Sequence, residues 1–85
     1  MATANPTPSP NPNALKFDLD VTLPDTINFA SADEATGNAF AAQVFAAPGV
    51  ASIFGVNNFV TVNRVAGADW EPIIAAVQSA AAAHL

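Results

Sequence analysis

The sequence predicts a small α+β domain with two layers, in which a four-stranded, mainly antiparallel sheet carries both helices on one face. Three observations predict this class. Two segments near the start alternate apolar and polar residues, which is the period of a half-buried strand. Two later β-prone runs meet at an Asn-Asn pair, which is typical of a hairpin. Two further segments place apolar residues at helical spacing, so the predicted order is β-β-α-β-β-α.

The first two strands follow from alternation. Apolar residues at positions 15, 17, 19 and 21 alternate with lysine and aspartate, and the same pattern returns briefly over residues 27–29. Residues 23–25, Leu-Pro-Asp, have turn chemistry. We therefore expect the two strands to pair with each other as an antiparallel hairpin with one face open to water.

The first helix is predicted to begin at Asn38, whose side chain suits an N-cap. Phe40 and Val44 lie on one face of this helix and form its apolar stripe. Pro48, followed by a glycine, ends the helix, because proline cannot continue it and glycine accepts positive φ.

The third and fourth strands are predicted over residues 50–56 and 59–65, with a tight turn between them. Val60 and Val62 mark the buried face of the fourth strand. In the third strand both alternating sets of positions contain apolar residues, so the sequence leaves its buried face open. The last helix is predicted to follow Asp69 and to bury a stripe of apolar residues, which are Trp70, Ile73, Ile74, Val77 and Ala81.

The charge of the chain limits its partners. The formal net charge is −5, and Lys16 and Arg64 are the only basic side chains. Two cations cannot supply the phosphate contacts on which nucleic-acid affinity depends, and anionic membrane surfaces are disfavoured for the same reason. A protein partner with a basic patch is favoured electrostatically.

The chain contains no cysteine. Disulfides, thiolate zinc sites, cysteine nucleophiles and cysteine-ligated clusters are therefore excluded within these residues. The N-terminal residues lack the basic start and apolar run of a secretory signal, and no apolar stretch is long enough for a membrane span. We expect a cytoplasmic monomer.

Prolines occupy alternate positions from 6 to 12, among Asn, Thr and Ser. Each proline fixes φ and lacks a backbone donor. This pattern predicts an extended, flexible tail over residues 1–9, followed by one domain over residues 10–85.

An ordered set of short motifs resembles a known family. Residues 10–17 read Pro-Asn-Pro-Asn-Ala-Leu-Lys-Phe, and further matching segments lie at residues 37–41, 44–45, 48–50, 52–54 and 59–64, and at Trp70 and Ile73. Together they resemble the N-terminal domain of Nfu/NifU-like iron–sulfur cluster scaffold proteins. Two positions depart from the family pattern, since Asn38-Ala39 stands where Ser-Pro is common and Arg64 replaces a usual lysine.

The resemblance implies a β-β-α-β-β-α domain associated with iron–sulfur cluster biogenesis. In two-domain relatives a Cys-x-x-Cys motif in a separate C-terminal domain holds the cluster. We expect a stand-alone domain that lacks this motif, so the scaffold activity itself does not carry over.

Five residues are candidates for contact with a protein partner, and each has a structural alternative. The amides of Asn11 and Asn13 can bind a partner's backbone or satisfy the start of the first strand by local hydrogen bonds. Lys16 and Arg64 can contact an acidic partner, or they can be solvated or pair with strand aspartates. Trp70 can anchor a partner or simply be the largest core residue.

Three functions are compatible with these observations. The first is a non-enzymatic accessory domain in iron–sulfur cluster assembly or delivery, which docks to a scaffold, carrier or apo-target and holds no cofactor or metal. The second is a free-standing protein-binding module unrelated to clusters. The third, a hydrolase or metal-dependent enzyme, would depend on Asp18, Asp20 or His84, and nothing in their spacing supports it. We expect no enzymatic activity.

Overall fold

The structure, a computed structural model, describes residues 2–7, 13–23 and 25–85. In chain order, the elements of these residues are β1 (Ala4–Thr7), β2 (Ala14–Leu19), β3 (Ile27–Phe29), a 3₁₀ helix (Ala32–Ala35), α1 (Ala39–Phe45), β4 (Val50–Val56), β5 (Phe59–Arg64) and α2 (Trp70–His84). The α+β class is confirmed. The prediction of four strands was wrong, because the sheet has five.

The five strands lie in the order β1-β2-β5-β4-β3, and every neighbouring pair is antiparallel. The predicted hairpin between β2 and β3 was wrong, because β5 and β4 lie between them. The backbone N–H of Leu19 donates to the Asn58 carbonyl at 2.7 Å, and that of Leu23 donates to the Asn57 carbonyl at 2.6 Å. The segment after β2 therefore crosses the β4–β5 turn and starts β3 on the far side of the hairpin.

The fifth strand comes from the segment that we predicted to be a tail. Residues 4–7 form β1, an edge strand that pairs with β2 from Ala4↔Leu19 to Thr7↔Lys16. Pro6 is tolerated there because an edge strand has a free side that needs no donor. Ala2 and Ala4 are buried, and the Gln78 side chain of α2 donates to the Ala4 carbonyl at 3.3 Å. Small apolar side chains against α2 thus hold residues 2–7, which belong to the segment that its prolines predicted to be mobile.

One face of the sheet forms the core together with both helices. Directly opposed residues of neighbouring strands share a face, and the pairs Phe17↔Val60 and Ile53↔Val62 are fully buried. Helix residues of the same core include Phe40, Val44, Ile73 and Val77. The sequence left the buried face of β4 open, and in the structure Ile53 and Gly55 form it. A register irregularity between Val50 and Ser52 interrupts the alternation, so Val50 also packs against the core.

The local signals at α1 and at the β4–β5 turn are confirmed. Asn38 is the N-cap of α1, and its side chain accepts from the Ala41 N–H at 3.0 Å. Asn57 adopts φ 55°, a left-handed conformation that asparagine tolerates, and so joins β4 to β5 in two residues.

Gly49, between α1 and β4, makes a close approach that no other residue type can make. Its φ is 90°, and a Cβ added to it would overlap the Cβ of Ala68. Its carbonyl accepts from the Val65 N–H at 2.7 Å. Gly49 thus fixes the end of β5 and the loop before α2 against the start of β4.

We expect Gly49→Ala to lower the free energy of unfolding by about 3 kcal/mol, from left-handed strain plus overlap. Gly67→Ala is a matched control, because Gly67 has φ 86° but open space around its Cα. That variant is expected to lose about 1 kcal/mol, from strain alone. Urea unfolding of both variants measures the difference, and equal losses would show that the contact with Ala68 is unimportant.

Candidate functional site

The face of the sheet that points away from the helices carries the most distinctive surface of the domain. We call this the open face and define it by the sheet residues that alternate with the core set. Register places one row across all five strands, Thr7–Lys16–Thr61–Phe54–Asn28. A second row is Asn5–Asp18–Phe59–Val56. The two rows lie next to each other, so their side chains form one continuous surface.

Three large apolar side chains lie together on this open face. Phe54 is 37% exposed, and Phe59 and Val56 are half-buried. Phe59 is directly opposite Val56, and Phe54 is diagonal to Phe59, a spacing at which aromatic side chains reach each other. A single exposed apolar residue is ordinary, but a contiguous group on an open sheet face is a candidate interaction surface. We call these three residues the apolar patch.

Lys16 lies beside the apolar patch and is held there by two contacts. Its Nζ is 3.6 Å from the Asp18 carboxylate and 4.8 Å from the centre of the Phe59 ring. Both Lys16 and Asp18 are about half exposed, so the ion pair contributes little to stability. Its effect is local, because it neutralises the lysine charge at the margin of the patch.

Asp20 supplies a further negative charge at the same end of the sheet. The Thr3 backbone N–H donates to Asp20 Oδ1 at 2.9 Å. This hydrogen bond lowers the pKa of the Asp20 carboxyl below its ordinary value of 3.8. Asp20 is therefore ionised at neutral pH, and it also fixes the residue that precedes β1.

Three predicted partner-binding residues take part in the structure of the opposite, helix-bearing side. Arg64 Nε donates to Asn13 Oδ1 at 3.3 Å, and Arg64 Nη1 donates to the Ala68 carbonyl at 2.7 Å. The guanidinium lies 5.2 Å from the centre of the Trp70 ring. Arg64 thereby joins the start of β2, the end of β5 and the first turn of α2. This cluster gives Asn13, Arg64 and Trp70 a structural role.

The remaining predicted residues are placed as follows. Asn11 lies outside the described residues. Lys16 lies on the open face of β2, which is an inner strand between β1 and β5. Phe54 and Phe59 were not among the predicted site residues. The sequence feature that could have identified Phe54 is that Ile53 precedes it in the same strand, because only one of two adjacent strand residues can face the core.

The three side chains considered as possible catalytic groups each contact another residue. Asp18 pairs with Lys16, Asp20 accepts from Thr3, and His84 Nε2 is 2.8 Å from Gln43 Oε1. His84 lines a groove of about 390 Å³ near the start of α1. Within the described ranges no group of three potential metal ligands converges.

Comparison with known proteins now identifies the family. The family described as "Scaffold protein Nfu/NifU N terminal" matches residues 4–85. This chain belongs to the Nfu/NifU N-terminal family. The match begins at β1, so the fifth strand lies inside the region that the family shares. A search of curated proteins gave no match.

Solved structures with the same fold include a NifU-like protein. A crystal structure of protein SAV1430 from Staphylococcus aureus is 25% identical, with a TM-score of 0.77, and the alignment covers 92% of this chain and 96% of that one. A solution structure of a NifU-like protein from Saccharomyces cerevisiae is 27% identical, with a TM-score of 0.73, over 94% of this chain and 73% of that one. The described part of this Nfu/NifU N-terminal chain includes no helix long and apolar enough to cross a membrane.

We expect Arg64→Ala to lower the free energy of unfolding by about 2 kcal/mol, because the Asn13 amide and the Ala68 carbonyl lose a charged donor. Lys16→Ala is the control and is expected to change stability by less than about 0.5 kcal/mol, since its ion pair is exposed. Thermal or urea unfolding measures both. If both variants lost similarly little unfolding free energy, Arg64 would again be a candidate for contact with a partner.

We expect the Asp20 carboxyl and the Thr3 amide to titrate together, with a midpoint below 3.8, when NMR shifts are followed against pH. Because the folded pKa is lower than the unfolded one, the stabilisation is complete above the unfolded pKa. It is lost as the pH falls through the folded pKa. Asp20→Asn keeps an acceptor oxygen but should abolish the pH response of the Thr3 amide. A midpoint at or above 3.8 would contradict the assigned hydrogen bond.

Proposed function

We propose that this chain is a non-enzymatic, protein-binding domain in iron–sulfur cluster assembly or delivery, and that it does not itself hold a cluster. The observation that carries the proposal is the apolar patch on the open face of a domain of the Nfu/NifU N-terminal family. The partner is a cluster scaffold, a carrier or an apo-target.

Family membership supports the process. Proteins of this family are described as scaffold proteins, and the yeast relative is NifU-like. Because one fold can carry several functions, the link to clusters comes to this chain as an inference from its relatives.

The chemistry of the side chains supports the absence of a bound cluster. Iron–sulfur clusters are held mainly by cysteine thiolates, and these 85 residues include none. The single histidine, His84, is near Gln43 on a helix surface and could supply only one ligand. A cluster in a complex would therefore be ligated by the partner, and this domain would contact the partner's protein surface.

The open face supports protein binding over catalysis. Its apolar side chains are partly exposed on inner strands, and interface centres commonly combine aromatic residues with a polar rim. No nucleophile–base pair is placed among the side chains that we assign to this face.

Titration of the ¹⁵N-labelled domain with cluster carriers and scaffolds from the same cell, in apo and holo forms, tests the function. We expect amide shifts in β4 and β5 with at least one of them. When the domain alone is treated with ferrous iron and sulfide and then desalted, we expect no visible cluster absorption.

Two results would contradict the proposal. Cluster absorption that stays with the purified domain would show that it holds a cluster. Unchanged spectra with every carrier and scaffold would separate the domain from cluster biogenesis and favour a free-standing module with an unrelated protein partner.

A further inference from the structure

The apolar patch has an asymmetric charge environment. Asp18 is directly opposite Phe59 in the register, and Asp20 follows at the same end of the sheet. The Lys16 charge is offset by its contact with Asp18, and the Asp20 carboxylate adds a further negative charge at this end of the sheet. The sides of the open face away from these aspartates are polar and uncharged, with Asn63 donating to Ser52 at 2.9 Å and Asn28 opposite Phe54.

The net charge argues against a second copy of the chain as the occupant. Each copy carries a formal charge of −5, so a symmetric contact through this face would bring two negative surfaces together. The same charge attracts a basic partner and raises its rate of association. The occupant suited to this face is therefore a different molecule, of opposite charge.

The position of the patch distinguishes a helix from an added strand. Phe54, Val56 and Phe59 lie on β4 and β5, which are inner strands with neighbours on both sides. A peptide strand can add only at an edge, but a helix can lie across a sheet face and contact it through side chains at i, i+3 and i+4. The opposite face of this sheet is covered by helices in the same way.

We propose that the open face binds a basic amphipathic helix of a partner protein, whose apolar side chains contact the apolar patch and whose lysines or arginines face the end of the sheet that carries Asp18 and Asp20, where the net charge with Lys16 included is negative. This inference rests on the proposed protein-binding role, and it does not depend on the link to iron–sulfur clusters. The side of the partner helix that lies over the polar rim of Asn28, Ser52 and Asn63 carries no charge.

A synthetic probe tests the chemistry without knowledge of the natural partner. The probe is a helical peptide of about 14 residues, with leucine at i, i+3, i+4 and i+7 and lysine elsewhere, and its control replaces each lysine by glutamate. We expect the lysine peptide to shift the amides of β4 and β5 in the full labelled chain, with an affinity that falls as salt rises. The glutamate peptide should leave the spectrum unchanged.

Matched variants separate this face from general attraction to an acidic protein. Phe54→Ser should weaken binding of the lysine peptide about tenfold, as expected for a central aromatic contact. Val65→Ser is the control, because Val65 is 54% exposed but lies beyond the end of β5. The double variant D18N/D20N should weaken binding about three- to tenfold at low salt. The control D33N/E34N removes the same number of charges from the 3₁₀ helix and should change affinity far less.

Several results would overturn the inference. These are equal binding of the glutamate peptide, equal effects of the test and control variants, shifts confined to another surface, or no binding of the lysine peptide. Phe54-dependent self-association in analytical ultracentrifugation would make a second copy the occupant. If the lysine peptide binds as expected while no cluster carrier does, this inference stands and the cluster function fails. If a carrier binds at another surface, the function stands and this inference fails.

Discussion

The β4–β5 hairpin and the segment that crosses its turn determine the arrangement of the whole sheet. The turn is only two residues long because Asn57 accepts a left-handed conformation, and the carbonyls of Asn57 and Asn58 then point outward as acceptors. The N–H groups of Leu19 and Leu23 occupy those acceptors. The crossing segment is thereby fixed, and it places β2 on one side of the hairpin and β3 on the other. The covered and open faces of the sheet both follow from this central placement.

Alternate side chains of the same strands are buried in the core on one face and partly exposed on the other. On the covered face, fully buried aliphatic and aromatic side chains pack against α1 and α2 and supply most of the stability of a small domain. On the open face the alternate positions of the same strands carry Phe54, Val56 and Phe59 in positions where burial is incomplete. Because these apolar groups stay partly in contact with water, their burial contributes little to the stability of the fold. A partner that removes them from water would gain the remaining free energy of burial.

Several local signals in the sequence were confirmed, although Asp69 precedes α2 without a side-chain cap hydrogen bond, and the predicted non-local strand pairing was wrong. The N-cap at Asn38, the Asn57-Asn58 turn and the apolar stripe of α2 depend on neighbouring residues, and all are present. The pairing of β2 depends on segments far away in sequence, so adjacency in the chain misleadingly suggested a hairpin with β3. Similarly, Pro6 lies in the extended backbone of β1 as predicted, but the burial of Ala2 and Ala4 against α2 could not be predicted from the proline pattern.

The same limit explains which site residues the sequence could identify. Lys16 and Arg64 stand out because they are the only basic side chains, although Arg64 proved to join structural elements. Phe54 was hidden because its strand has apolar residues at both alternating sets of positions. Gly55 decides which set of β4 positions faces the core, because its missing side chain leaves room on the covered face for Leu23 and Ile27. That packing becomes visible only when β3 is placed beside β4.

The contact between β1 and α2 has a consequence for synthesis on the ribosome. The Ala2 N–H donates to the Ala81 carbonyl, and the Gln78 side chain donates to the Ala4 carbonyl, so β1 packs against α2. Until residues 70–84 have left the exit tunnel, Ala2 and Ala4 lack the helix that buries them. The sheet of the nascent domain can therefore reach its final packing at β1 only in a late step, after α2 has emerged.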